Sequence, residues 1–147
     1  MKALTIRQPW TSLIAWEEKH YETRGWATTY RGPLAIHAGI DDSALDVVDA
    51  NSFYRAAFKR HGDPPLTKLP FGAVVCVVDL VGVAPVAHYL WPFCTLTQQE
   101  TTFGDYGPGR FAWRLENVRV LAQPIAVRGK QGLWEWPVEL ESLEFTP

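Results

Sequence analysis

Apolar and polar positions change their period several times along the chain, and each change marks an element. Residues 3–7 read as a short strand. Pro9 suits the first turn of a helix, where its missing N–H costs nothing. Trp10, Leu13 and Ile14 follow at helical spacing, and Glu17-Glu18-Lys19 makes a polar end. Residues 20–26 look extended, and Tyr30-Arg31-Gly32-Pro33 is a turn that feeds a strand at 34–38. Asp41-Asp42-Ser43 resembles an N-cap cluster. The stripe Ala44, Val47, Val48, Tyr54, Ala57 and Phe58 then predicts one helix over about 42–60, closed by Lys59, Arg60, His61 and Gly62. Residues 72–86 are almost wholly apolar and β-branched, with Asp79 their only charge, so they predict a long strand bent at Gly82. Residues 88–109 are irregular apart from a short helix around 97–101. Alternation at 111–115 predicts a half-buried strand, and a separate final strand is expected at 125–127. Residues 129–132 turn the chain and 133–137 close it. Five to six strands with two flanking helices predict an α+β fold, a small mixed β-barrel.

The length of 147 residues is that of one domain over 1–147, long enough to bury a core without staples. Seven Trp, seven Phe and five Tyr are more aromatics than such a core needs. Trp26, Trp91, Trp113, Trp134 and Trp136 are therefore not all expected inside, and one or two at a cleft would offer a stacking surface for bases. Net charge is −2, which argues against a general polyanion binder. The charge is uneven: residues 101–132 carry five bases against two acids, while 133–147 carry four acids and no base. The two cysteines, Cys76 and Cys94, form no disulfide framework, and Cys76 reads as an apolar filler. With no signal peptide and no apolar run long enough to span a bilayer, the expectation is a reduced, cytoplasmic protein without a membrane partner.

No metal or cofactor is expected. Cys-x-x-Cys and His-Glu-x-x-His are missing, and the four histidines are scattered. Gly104-x-x-Gly107-x-Gly109 lacks the frame of a phosphate loop and reads as a flexible lid. The informative run is Lys19-His20-Tyr21-Glu22-Thr23-Arg24-Gly25-Trp26. On a strand, His20, Glu22 and Arg24 share one face and Tyr21 and Thr23 the other. Glu22 can accept from an exocyclic amine of a heterocycle, while Arg24 and Lys19 hold a carbonyl or phosphate. The competing reading is a structural Glu–Arg pair on a barrel rim. Gln8 and Trp10 lie at a helix N-terminus that favours anions, against plain capping with Trp10 in the core. His37 lies in an apolar strand, either as a satisfied core group or as a base.

These residues carry a resemblance. The run Ala3-Leu4-Thr5-Ile6-Arg7-Gln8-Pro9-Trp10, then Lys19-x-x-Glu22-x-Arg24-x-Trp26, then Tyr30-Arg31-Gly32 and Ile36-His37-Ala38, resembles an ASCH domain of the PUA-like superfamily. Arg110-Phe111-Ala112-Trp113-Arg114-Leu115-Glu116, Pro124-Ile125 and Gly129-x-x-Gly132-Leu133-Trp134-Glu135 agree with it. The resemblance implies a PUA-like barrel with flanking helices and a cleft lined by the Lys-x-x-Glu-x-Arg strand. It implies an RNA link, since the family includes RNA-binding modules, nucleases and an amidohydrolase that deacetylates N4-acetylcytidine. That last group has Lys-x-x-Thr-x-Arg with a nucleophilic threonine, and here Glu22 stands in the threonine's place. Glu100 falls near that group's catalytic acid.

The leading expectation is an RNA- or nucleotide-binding module with Gln8, Trp10, Lys19, Glu22, Arg24, Trp26 and His37 in its cleft. The second is a small hydrolase of the amidohydrolase or ribonuclease type, acting on a modified nucleoside or RNA through Lys19 and Glu22. The third is a small-ligand sensor.

Overall fold

The protein is described by a computed structural model covering residues 1–89 and 95–147. Six strands form one mixed sheet: β1 (Lys2–Ile6), β2 (Tyr21–Arg24), β3 (Gly32–Ala38), β4 (Ala73–Pro85), β5 (Phe111–Ala126) and β6 (Leu133–Glu135). Their order across the sheet is β2-β5-β4-β3-β1-β6. β1 runs parallel to β3, and the other neighbours are antiparallel. The helices are α1 (Trp10–Ala15), α2 (Val47–Ala50), α3 (Ser52–Arg60) and α4 (Gln98–Thr102). The architecture is α+β, as expected, but the barrel is half open: β2 and β6 form the two edges, and no ladder joins them among the described residues.

β4 occupies the centre because Ala73–Val78 is buried along its whole length and carries no charge. The pairing of β4 with β5 shifts register near Cys76, Val78 and Gly82, and each shift bends and twists the sheet. The strand expected at 111–115 and the one at 125–127 are the two ends of β5. Asn117, with φ at 52°, and Pro124 interrupt the run between them and hid the continuity, although Val118, Val120 and Leu121 still pack inward. The single helix predicted over 42–60 is two. Asn51 between them is extended, and its side chain accepts from the Phe53 N–H at 2.8 Å, so a new helix starts there. Asp41 caps no helix; its carboxylate accepts from the Ser43 N–H in a local turn. α4 lies one residue beyond its predicted span, with Thr97 as its cap.

Trp113, Trp134 and Trp136 are core residues, and Trp26 is left at the surface. Trp91 and Cys94 lie outside the described residues. Burial pushes the Cys76 thiol up to about 12, which keeps it inert. No helix among the described residues is long and apolar enough to cross a membrane, and no group of three or more His, Cys, Asp or Glu is placed to hold a metal ion.

The helical layer is tied together by Glu18. Its carboxylate accepts from Arg60 at 2.8 and 2.9 Å, from Gln99 at 2.9 Å, and lies 3.0 Å from His61 Nε2. His61 in turn stacks on Trp16. The Arg60 hydrogen bond holds the Glu18 carboxyl at about 2, against an ordinary value of 4.5. This contribution is present above pH 4.5 and is lost as the pH falls towards 2. Glu18→Gln should therefore lower stability at pH 7 by about 1–2 kcal/mol once solvent screening is allowed for. In urea titrations the gap between variant and wild type should narrow as the pH is lowered from 4.5, and a gap independent of pH would contradict the assignment.

Candidate functional site

A cleft of about 860 Å³ opens where the edge strand β2 curls towards β1. Glu22, Thr23 and Arg24 of β2 line it, facing Thr5 and Ile6 of β1 and the segment 102–105. Arg24 Nη2 spans the gap, donating to the Thr5 carbonyl at 2.8 Å and to Glu22 Oε2 at 3.2 Å. β6 pairs β1 only as far as Leu4, so Thr5 lies beyond the end of that ladder. The other Glu22 oxygen accepts from the Thr23 N–H at 3.1 Å. Glu22 and Arg24 thus form one bonded pair at the floor of an open cleft.

Behind the pair lies Lys19, only 1% exposed. Its ammonium donates to the Phe103 carbonyl at 2.6 Å and stands 3.9 Å from Glu22. Burial pushes its pKa below the ordinary lysine range, Glu22 and Glu100 act against that, and Arg24 adds to it. Glu100, from α4, is also buried; one carboxylate oxygen takes the His20 backbone N–H at 2.8 Å and faces His20 Nδ1 at 3.0 Å. Its other oxygen, the Tyr106 hydroxyl and Arg24 Nε are buried without a hydrogen-bond partner among the described residues. Burial, and then the charge of Glu100, raise the Tyr106 phenol far above its ordinary value.

Not every expected residue is brought to the cleft. Trp10 and Trp26 line it, Trp10 donating to the Tyr54 hydroxyl at 2.9 Å and Trp26 packing edge-on against Trp113. Gln8 does not: it is fully buried, donates to the Pro70 carbonyl at 2.8 Å and accepts the Ser12 N–H at 3.0 Å. Its side chain takes the place that an anion would have at the start of α1. His37 is likewise a buried strut, its Nε2 donating to the Val127 carbonyl at 2.7 Å and its Nδ1 facing the Thr5 hydroxyl at 3.2 Å. His20 precedes β2, and Glu100 draws it into a second cavity away from Glu22. Thr23 was expected to face away, yet it lines the cleft wall, with its hydroxyl accepting the Asp105 N–H at 3.0 Å.

The 104–109 segment is therefore no loose lid at its start. Arg110 binds the Thr23 and Asp105 carbonyls at 3.0 Å, and a Cβ on Gly104 would come within 2.8 Å of the Tyr106 ring. Sequence reasoning missed Tyr106, Asp105, Arg110 and Lys130 as parts of this region, because they lie far from the Lys-x-x-Glu-x-Arg run in sequence. The excess of bases over residues 101–132 was the visible signal for Arg110 and Lys130.

No protein-family model matches the chain. Activating signal cointegrator 1 of Mus musculus is 25% identical over 133 residues, and that of Homo sapiens 24%; each alignment covers 90% of this chain. The chain spans 22% of the length of those curated relatives. Among solved structures, ASCH from Zymomonas mobilis has a TM-score of 0.49 at 13% identity, covering 86% of this chain and 73% of that one. A mutant form of the same protein has a TM-score of 0.48 at 13% identity, covering 85% and 72%. These structures are ASCH proteins, the family that the motifs resemble.

The placement of Gln8 is open to a direct test. Gln8→Ala leaves the Pro70 carbonyl and the Ser12 N–H unpaired, so it should destabilise the fold by about 1–3 kcal/mol in denaturant titrations. Ligand affinity of the folded variant should stay at the wild-type value, and a loss of affinity without a loss of stability would return Gln8 to the cleft.

Proposed function

We propose that this ASCH-like chain is an RNA- or nucleotide-binding module that takes one unstacked base into the cleft. The observation that carries the reading is the bonded Glu22–Arg24 pair on the floor of an open cleft walled by Trp10 and Trp26. Glu22 is an acceptor for a base amine or imino N–H, and the guanidinium of Arg24 is a donor for a base carbonyl. The indole faces supply stacking that any base can use. Sequence-specific RNA recognition reads splayed-out single-stranded bases in this manner.

The chain's charge of −2 limits how many phosphates it can neutralise. Arg119 is bound to Asp79 at 2.6 Å, whereas Arg31 and Arg128 are exposed without an ion pair among the described residues. Binding should thus depend on the base and respond weakly to salt, with a slope of about −0.7 per phosphate contacted. Glu22→Ala or Arg24→Ala should weaken binding of the preferred ribonucleoside by roughly 10- to 100-fold and flatten base preference. Calorimetric titration against a panel of common and modified ribonucleosides and short single-stranded RNAs checks this. Affinity that survives both substitutions, or a steep salt slope without base preference, would contradict the reading.

Lys19 supports a second reading, a hydrolase acting on a modified nucleoside or RNA. A buried amine beside Glu22 whose burial lowers its pKa gives up its proton more readily than an ordinary lysine, and the neutral amine so formed can act as a base. Activity of this kind should rise with pH as Lys19 loses its proton, at a pH below the ordinary lysine range. N4-acetylcytidine and short RNAs serve as substrates; Lys19→Met should abolish turnover, and no product at any pH would remove the reading.

A further inference from the structure

The charges around the cleft are paired with one exception. On its floor, Arg24 pairs with Glu22 at 3.2 Å, and behind them the buried Lys19 stands 3.9 Å from Glu22. On its rim, Arg7 pairs with Asp41 at 3.3 Å and Arg110 with Asp105 at 3.5 Å. Lys130 also lines the cleft, is exposed, and has no ion pair or hydrogen bond among the described residues. One uncompensated cation therefore faces the cleft of a chain whose net charge is negative.

The turn that carries Lys130 is held in place. His37 donates to the Val127 carbonyl just before it, and Thr5 and His37 lie directly beneath Gly129. A Cβ on Gly129 would come within 2.6 Å of His37 Cε1 and 2.7 Å of Thr5 Oγ1, so the backbone approaches the sheet as closely as only glycine allows. The same Thr5 gives its carbonyl to Arg24. Thr5 thus fixes the Glu22–Arg24 floor and the Lys130 rim relative to each other. His37 is a positioning residue for the rim.

We infer that Lys130 seats a phosphate group of the nucleotide whose base occupies the Glu22–Arg24 floor, so that the ligand is a phosphorylated nucleotide in preference to a nucleoside. This rests on the reading that the cleft takes a base. An ammonium is a point charge with three donors, suited to a phosphate oxygen without demanding one geometry. The phosphate is either a terminal monoester or a diester of an RNA strand, and both present the same oxygens.

The test uses the full chain and three forms of each base: the nucleoside, its 5′-monophosphate, and a hexanucleotide with a 5′-hydroxyl. The bases are adenine, guanine, cytosine, uracil and N4-acetylcytosine. The 5′-monophosphate of the preferred base should bind about tenfold tighter than its nucleoside. Lys130→Ala should erase that difference while leaving nucleoside affinity unchanged, and Lys130→Arg should restore it. Asp41→Asn, which removes an acid from the rim, should strengthen monophosphate binding and not nucleoside binding. If the hexanucleotide shows the Lys130 dependence and the monophosphate does not, the phosphate is the strand's diester. Equal affinity for nucleoside, monophosphate and hexanucleotide in the wild type would overturn the phosphate seat and leave the base reading standing. No binding of any form would overturn the base reading, and the seat with it.

Discussion

One guanidinium holds the site together. The sheet curls but does not close, so edge strand β2 approaches β1 without a backbone ladder between them. Arg24 crosses that gap and donates to the Thr5 carbonyl, which lies just past the reach of β6. The same nitrogen binds Glu22, so the bridge across the open barrel and the Glu22–Arg24 pair on the cleft floor are one group. The cleft exists because the gap is spanned by a side chain; a ladder there would have filled it. Thr5 answers from the other side, its hydroxyl taking the Trp134 indole N–H at 3.2 Å and facing His37.

Beneath the bridge, burial does the electrostatic work. Lys19 and Glu100 are both out of water, and each is kept by the other charges around it. Three polar atoms there have no partner among the described residues. Such groups cost stability, and in functional sites that cost is commonly retained because the group meets a ligand or a water. Glu18 lies outside this centre and does the opposite: every contact it makes is structural, joining α1, α3 and α4 so that Phe103 and Glu100 are presented to Lys19.

Much of the sheet was legible because burial leaves period and composition in the sequence. β4 was readable from its unbroken apolar run, and β2 from four residues of mixed polarity next to a turn. β5 was legible only at its ends, since Asn117 and Pro124 break the local pattern and the register shifts of its pairing with β4 are set by that distant strand. The helix break at Asn51 was carried by a capping residue inside a continuing apolar stripe, and the stripe outweighed the cap. At the site, the pairing of Glu22 with Arg24 followed from strand alternation, whereas His20 escaped that rule because it precedes the strand. Gln8 and His37 have the chemistry of ligand contacts, but their partners are backbone groups distant in sequence, which no local pattern reveals.

The central claim is that a nucleotide base enters the cleft above the Glu22–Arg24 pair. Amide chemical-shift mapping by NMR reads this at two reporters already on the cleft wall. The Thr23 N–H lies on a Glu22 oxygen and the Asp105 N–H lies on the Thr23 hydroxyl, 3.1 and 3.0 Å away. Titrating the preferred nucleotide should move these two amides first, together with Arg24 and Gly104. Shifts confined to the second cavity beside His20 and Arg114, or to the acidic 133–147 segment, would contradict the account.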